Sequence, residues 1–104
     1  MDLVDMIYDL TAHFPDSERF GLTNQIQRAV TSIPSNIAEG SGRNSTKELI
    51  QFLYIARGSL CELYTQVEIS KRRQYAPLVS YEAINELMRR VGQMLGKLIT
   101  SLKK

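Results

Sequence analysis

A long run of apolar residues at helical spacing most constrains the fold of this 104-residue chain. Between positions 49 and 67 the spacing alternates between four and three residues, which places the side chains on one helix face. The stripe consists of Leu49, Leu53, Ala56, Leu60, Leu63 and Val67. It predicts a helix over residues 46–73, about 40 Å long at 1.5 Å per residue. A helix of this length needs partners along its whole inner face.

Three other segments repeat the same spacing, and no segment shows the alternation of a strand. The sequence predicts helices over residues 2–13, 23–39 and 81–103. Their inner stripes are Leu3, Ile7, Leu10 and Phe14, then Ile26, Val30, Ile33 and Ile37, then Ile84, Met88, Val91, Leu95, Leu98 and Leu102. Because the connections are short, we expect an all-α fold. It is one domain over residues 1–104, an antiparallel up-down-up-down four-helix bundle.

The segment SIPSNIAEGSGRNS, residues 32–45, contains the strongest helix breakers. Pro34 removes a backbone hydrogen bond, so the second helix either kinks or breaks and is capped again by Ser32. The apolar register continues through the proline, which favours a kinked continuous helix. Gly40 and Gly42 are expected to end that helix in the left-handed conformation.

Polar residues before three of the segments predict where helices begin. Ser45 and Glu48 match a capping box at the start of the third helix. Thr23 and Ser80 are the expected N-caps of the second and fourth helices. The order of breakers and caps therefore predicts the helix boundaries.

The third helix is apolar on more than one face. The segment LIQFLYIA, residues 49–56, is apolar nearly all the way round. A helix with a single buried face does not have this composition. We therefore predict self-association, with contacts from Ile50, Tyr54, Cys61 and Tyr64. The alternative is a central helix inside a monomer.

Charge is unevenly distributed, although the net charge is only +2. Residues 1–20 hold five acidic side chains and one basic one, whereas the rest of the chain is basic. Such asymmetry can join subunits or present a basic face to nucleic acid. The expected contacts to phosphate are Arg43, Lys47, Lys71, Arg72, Arg73, Arg89, Arg90, Lys97, Lys103 and Lys104. In an oligomer each basic patch is repeated, which raises phosphate affinity.

A further group of polar residues is expected to set the register of the helices: Arg28, Asn36, Glu39, Arg57 and Glu62. A hairpin of the second and third helices puts Arg28 level with roughly residues 58–62, so we expect an Arg28–Glu62 pair across helices. Arg43 follows Glu39 by four residues, but the glycines between them are expected to break that pairing. Asn36 is predicted to be structural.

Residues for catalysis or metal binding are scarce. His13 and Cys61 are the single histidine and the single cysteine, so neither has a second soft ligand for a metal. The segment GSGR lacks the lysine-serine ending of a phosphate loop. We predict neither an enzyme nor a cofactor. One cysteine and no visible leader predict a reducing cytoplasm, and the short apolar runs predict no membrane span.

Two segments resemble a known family: RAVTSIPSNIAEGSGRNSTKELIQFLYIARGSLCEL, residues 28–63, and YDLTAHFPDSERFGLTNQI, residues 8–26. They are similar to the four-helix-bundle proteins encoded in intervening sequences of 23S ribosomal RNA genes. The resemblance implies a cytoplasmic bacterial protein that forms a ring of five bundles. It also implies a shortened first helix, because family members usually have about three more turns before this chain's start. A related accessory variability protein of diversity-generating retroelements partners a reverse transcriptase through a basic surface.

The sequence thus favours a non-enzymatic, homo-oligomeric bundle, pentameric by resemblance, that binds RNA or DNA phosphates. The alternative is a protein–protein adaptor or assembly subunit, for example for a reverse transcriptase.

Overall fold

The computed structural model describes residues 2–104 and contains four α-helices within them. They are α1 (Asp2–Thr11), α2 (Leu22–Ser41), α3 (Thr46–Arg72) and α4 (Leu78–Leu102), with a 3-10 turn at Asp16–Glu18. No strand occurs in the described part of the chain. The all-α prediction is confirmed, and the shape, 44 × 24 × 18 Å, is consistent with a four-helix bundle. No helix among residues 2–104 has the length and apolar character needed to cross a membrane.

The core forms along the apolar stripes, and neighbouring helices interdigitate there. Ile7, Ile26, Leu53 and Met88 are completely buried, one from each helix. Two residue contacts between α2 and α3 also give the relative direction of these helices. Ser32 of α2 meets Ser59 of α3, whereas Gly40 lies against Phe52, so α2 and α3 run in opposite directions.

One residue of the inner stripe predicted for the fourth helix is wrong. Leu98 is 39% exposed, and Ile99 is buried in its place. The step of four from Leu95 to Ile99 follows the 3.6-residue helical repeat closely enough to stay on the inner face. A step of three to Leu98 turns the side chain outward. α4 also begins at Leu78, earlier than predicted, and Tyr81 is a core residue that the predicted stripe omits.

Helix α2 continues through Pro34, so the break with a new cap at Ser32 is excluded. Side chains near the proline bond to helix carbonyls: Ser35 Oγ donates to the Thr31 carbonyl at 2.8 Å. Asn36 Nδ2 donates to the Ser32 carbonyl, also at 2.8 Å. Side-chain bonds to carbonyls four residues back tend to bend a helix, as does the missing proline N–H. The kink itself stays a prediction.

The two glycines do not end α2 in the predicted way. The helix extends through Gly40 to Ser41, and Gly42 caps it at φ −85°. No glycine in the described residues has a positive φ. Gly40 is instead a packing residue, because a Cβ there would lie 2.7 Å from Phe52 Cβ. Close approach of α2 and α3 requires the absent side chain.

One of the predicted caps is confirmed and two are wrong. Ser45 Oγ accepts a hydrogen bond from the Glu48 N–H at 3.1 Å, and Glu48 Oε2 accepts from Ser45 Oγ at 3.4 Å instead of from the Ser45 N–H, so the cap is confirmed without the reciprocal half of the box. Thr23 lies inside α2, where the Leu22 N–H is satisfied by Glu18 Oε1 from the preceding 3-10 turn. Ser80 lies inside α4, which begins after Pro77 without a side-chain cap. A carboxylate from outside the helix and a fixed proline φ replace the expected caps.

The end of α3 is closed by a Schellman motif. Tyr75 N–H donates to the Ser70 carbonyl at 3.1 Å, and Gln74 N–H donates to the Lys71 carbonyl at 3.0 Å. Gln74 has a φ of 59°, in the left-handed region. Just beyond, buried Tyr81 Oη donates to Ser70 Oγ at 3.0 Å. This end of the α3–α4 contact is therefore fixed by backbone and side-chain hydrogen bonds.

Candidate nucleic-acid interface

A groove of about 490 Å³ lies between α3 and α4 toward the C-terminal end of α4. Four of its lining side chains are cationic, and none is a carboxylate. The cations are Arg57, Lys97, Lys103 and Lys104, and Tyr54 lines the same groove. Thr100 and Ser101 add hydroxyl groups to the lining. We call this set of residues the basic groove.

Tyr54 lines the basic groove and is 37% exposed. The Arg57 guanidinium carbon is 4.8 Å from the ring centroid, a distance at which the cation is attracted to the ring. Lys103 Nζ donates to Tyr54 Oη at 3.1 Å but is 5.8 Å from the centroid. Together these distances place Lys103 at the hydroxyl edge of the ring. Its contact is therefore a hydrogen bond, and only Arg57 makes a cation–π contact.

The fold brings these residues together from distant parts of the chain. Tyr54 and Arg57 are three residues apart and share one side of α3. The last turns of α4 pack alongside, which brings Lys97 and Lys103 to the same place. At Gly96, which lines the groove, a Cβ would meet no atom within 4 Å. The helices are thus less tightly packed here than at Gly40.

Most other predicted phosphate contacts have a carboxylate partner. Arg72 pairs with Glu68 at 3.0 Å. Glu86 pairs with Arg89 at 2.7 Å and with Arg90 at 3.4 Å. The hydrogen bond from Arg89 lowers the pKa of Glu86, and the same bond raises the pKa of Arg89. These exposed cations are compensated locally, unlike those of the basic groove.

Arg43 also has a partner, contrary to the expectation from its neighbouring glycines. Its Nη2 lies 2.6 Å from Glu39 Oε1, because α2 remains helical through Gly40 and keeps the i, i+4 spacing. Its guanidinium also lies 5.0 Å from the Phe52 ring centroid. Lys47 is exposed at the start of α3, and Lys71 and Arg73 lie at its far end, away from the groove.

Two residues of the basic groove had other roles in the sequence analysis. The sequence pattern assigns Arg57 to helix register and Tyr54 to a subunit contact. An antiparallel α3–α4 pair joined near residue 76 puts Tyr54 level with about residue 98. That register was sufficient to join Tyr54 and Arg57 to the C-terminal lysines. Proximity along the sequence does not show this grouping, because Tyr54 and Arg57 lie on a different helix from the C-terminal lysines.

The predicted subunit contacts lie mainly on the outer side of α3. Tyr54, Cys61 and Tyr64 are exposed, and Ile50 is half-buried. Beside Tyr64, exposed Ile69 lines a shallow groove of about 420 Å³. The outer side of α3 therefore offers apolar and aromatic surface.

Arg28 and Glu62 face each other across a second groove, between α2 and α3, but do not form an ion pair within 4.0 Å. Ser32 Oγ and Ser59 Oγ, 2.8 Å apart, join the two helices there. Asn36 Nδ2 donates to Ser32 Oγ at 2.9 Å. Register at this level depends on hydroxyl and amide groups.

His13 is exposed after the end of α1. Within residues 2–104 no three His, Cys, Asp or Glu side chains cluster in a way that could hold a metal ion.

Comparisons with known proteins agree with the fold. The family model described as 23S rRNA-intervening sequence protein matches residues 1–97. The chain is also similar to a crystal structure from Bacteroides thetaiotaomicron, a protein with unknown function from the S23 ribosomal protein family. The two are 28% identical with a TM-score of 0.79, over 94% of this chain and 88% of the other. No curated protein matched the chain.

Proposed function

The chain belongs to the 23S rRNA-intervening sequence protein family, and we propose that it is a non-enzymatic, homo-oligomeric bundle that binds nucleic-acid phosphates. The basic groove is the proposed binding surface. The proposal includes a cytoplasmic location and the ring of five subunits that the family resemblance implies.

The observation that supports phosphate binding is the uncompensated charge of the basic groove. Arg57, Lys97, Lys103 and Lys104 line one groove, and no side-chain carboxylate is among the lining residues. Like charges held close together repel, which disfavours the compact state unless an anion binds between them. An extended polyanion supplies several phosphates along one strand.

The size of the expected effect depends on the number of grooves engaged. Each phosphate neutralised on a single strand contributes about 0.7 to the slope of log affinity against log salt. Four cations in one groove give a slope of up to about −3. If a ring presents several grooves to one strand, the contacts multiply. We therefore expect weak binding by one subunit and stronger binding by the assembly.

Binding of labelled single-stranded RNA and DNA, measured by fluorescence anisotropy at low and at near-physiological salt, tests the proposal. We expect binding at low salt that weakens steeply as salt is added. Lys97→Gln/Lys103→Gln should lose most of the affinity. Arg89→Gln/Arg90→Gln removes the same charge from α4 outside the groove and should lose little. Absence of binding at low salt would defeat this proposal.

Self-association is supported by the outer side of α3. Tyr64 and Ile69 are exposed there beside Cys61, which is typical of an interface. The separation of acidic α1 from the basic groove allows complementary contacts between copies. Sedimentation velocity at micromolar concentration tests this part. We expect a mass several times that of one chain and a shift toward the monomer for Tyr64→Glu, whereas a wild-type monomer contradicts it.

A protein–protein adaptor is the second candidate, and one observation favours it. Phe20 is 90% exposed, and Leu78 and Val79 are also exposed at the same end of the bundle. That end is held together by Tyr75, whose hydroxyl donates to Glu18 at 2.7 Å. If nucleic acid does not bind at low salt, this surface becomes the leading site. If the Phe20→Ser variant no longer binds a protein partner of the wild type, this surface is identified as the docking site.

A further inference from the structure

The groove between α2 and α3 differs chemically from the basic groove. It has a volume of about 420 Å³. Arg28 of α2 and Glu62 of α3 place opposite charges on its two sides. Its polar lining consists of Gln25, Arg28, Ser32, Ser59, Glu62 and Gln66. We call it the polar groove. Its pair of ionic side chains is balanced, so a strong general attraction for polyanions is not expected from it.

The floor of the polar groove is already hydrogen-bonded. Ser32 Oγ and Ser59 Oγ lie 2.8 Å apart, and Ser59 Oγ contacts the Ile55 carbonyl at 3.2 Å. Asn36 Nδ2 contacts Ser32 Oγ at 2.9 Å. The Ser32–Ser59 bond joins the two helices, and the other two bonds orient the serines within their own helices. The serines therefore shape the groove and leave recognition to its other residues.

Three groups in the polar groove remain without a partner in the described chain. Arg28 has no carboxylate within 4.0 Å, and Glu62 has no cation within 4.0 Å. Gln66 Oε1 is buried and accepts no hydrogen bond. A buried acceptor without a donor costs free energy, and a ligand recovers that cost when the Gln66 side chain turns to accept a hydrogen bond from it. The ligand must present acceptors toward Arg28 and donors toward Glu62 and Gln66.

We propose that the polar groove binds an unpaired guanine base. Guanine presents the acceptors O6 and N7, which match the two-pronged guanidinium of Arg28. It also presents the donors N1–H and the N2 amino group, which match the Glu62 carboxylate and Gln66 Oε1. This inference rests on the proposed nucleic-acid binding and adds base selection to it.

The other bases fit the same three groups less well. Adenine has no N–H beside its amino group to make a second bond to the carboxylate. Uracil has one ring N–H donor and no amino group. Cytosine has an amino group but no ring N–H when unpaired in a strand. Because single strands expose these edges, discrimination by side chains is possible there.

The test compares short labelled RNAs of adenines with the same RNAs carrying guanine or inosine at their centre. Inosine keeps O6, N7 and N1–H but lacks the N2 amino group. Because a bidentate contact discriminates against the wrong base, we expect guanine RNA to bind about tenfold more tightly than adenine RNA. Inosine RNA is expected in between.

Two variants and two matched controls locate the preference. Glu62→Gln replaces one of the two carboxylate oxygens by an amide NH₂ group, so the pair of acceptors is lost. Arg28→Lys removes the two parallel N–H donors of the guanidinium while keeping the positive charge. Each should bring the guanine-to-adenine ratio close to one. Glu82→Gln and Arg90→Lys make the same changes at exposed positions of α4 and should leave the ratio unchanged. Circular dichroism and thermal melts verify that each variant is folded.

The possible outcomes separate this inference from the proposed function. Salt-dependent RNA binding without base preference overturns the guanine site and leaves the basic groove intact. A preference that survives in both Glu62→Gln and Arg28→Lys also overturns it. If no RNA binds at low salt, the proposed function fails. Titration with guanosine monophosphate, followed by amide NMR, then decides: shifts at Glu62 and Gln66 support the guanine site, and their absence overturns it.

Discussion

Helix α3 meets its two neighbours in different ways. Against α2 the contact is closed near Gly40, where a Cβ would lie 2.7 Å from Phe52 Cβ, and the polar groove lies farther along the same pair of helices. Against the end of α4 it is open: Gly96 has free space, and four cations line the gap. The closed contact fixes the register of α2 relative to α3. The open contact keeps like charges together, which stability alone does not favour.

The largest expected effect on stability comes from a methyl group added to each contact. Gly40→Ala should lower the free energy of unfolding by about 1–3 kcal/mol, because overpacking displaces Phe52. Gly96→Ala on the open side should be neutral or raise it by up to about 1 kcal/mol, through helix propensity. Urea unfolding of both variants measures the difference. Equal effects would contradict the contrast between closed and open contacts.

The α3–α4 contact is itself closed at its other end, where Tyr81 and Ser70 are buried. Tyr81→Phe removes the donor to Ser70 Oγ and should lower the free energy of unfolding by about 1 kcal/mol. Tyr8→Phe is the control, since Tyr8 is exposed on α1. Thermal or urea unfolding measures both. A Tyr81 effect no larger than that of Tyr8 would show that this hydrogen bond does not hold the contact.

The turn after α3 has a strained residue that can be relieved. Gln74 has a φ of 59°, so Gln74→Gly should raise the free energy of unfolding by up to about 1 kcal/mol. The control is Gln51→Gly, exposed within α3, which should lower it by a similar amount. Urea unfolding again reports the sign. Destabilisation by both substitutions would contradict the Schellman turn.

The smallest effect concerns pH at the same closed end. The hydrogen bond from Tyr75, and next that from the Leu22 N–H, lower the pKa of Glu18. A lowered folded-state pKa stabilises the fold above the ordinary value of 4.5, and the gain is lost as pH falls through the folded-state pKa. Glu18→Gln should therefore have a flatter stability profile between neutral and acidic pH. An identical profile for wild type and variant would rule out this contribution.

The helices and most of the core could be predicted from the sequence, because apolar periodicity is a local property. Helix caps and close helix packing were harder to predict from the sequence, because they depend on which of several nearby groups contacts a given residue in the fold. The Leu22 N–H is satisfied by Glu18 rather than by Thr23, and Gly40 serves a neighbouring helix rather than a helix end.

The candidate site could be predicted only in part. Lys97, Lys103 and Lys104 stood out as cations, but their grouping with Tyr54 and Arg57 depends on the pairing of α3 with α4. The compensation of Arg89 and Arg90 by Glu86 depends on side-chain geometry. Charge counts along the sequence do not separate compensated from uncompensated cations.

The salt dependence of RNA binding tests the role of the basic groove most directly. The measurement is the slope of log affinity against log salt for wild type, Lys97→Gln/Lys103→Gln and Arg89→Gln/Arg90→Gln. Loss of two phosphate contacts should reduce the slope by roughly 1.4 for the lysine variant, since each contributes about 0.7 on a single strand. The arginine variant should keep the wild-type slope. Equal slopes for all three proteins would contradict the assignment of the phosphate site to the basic groove.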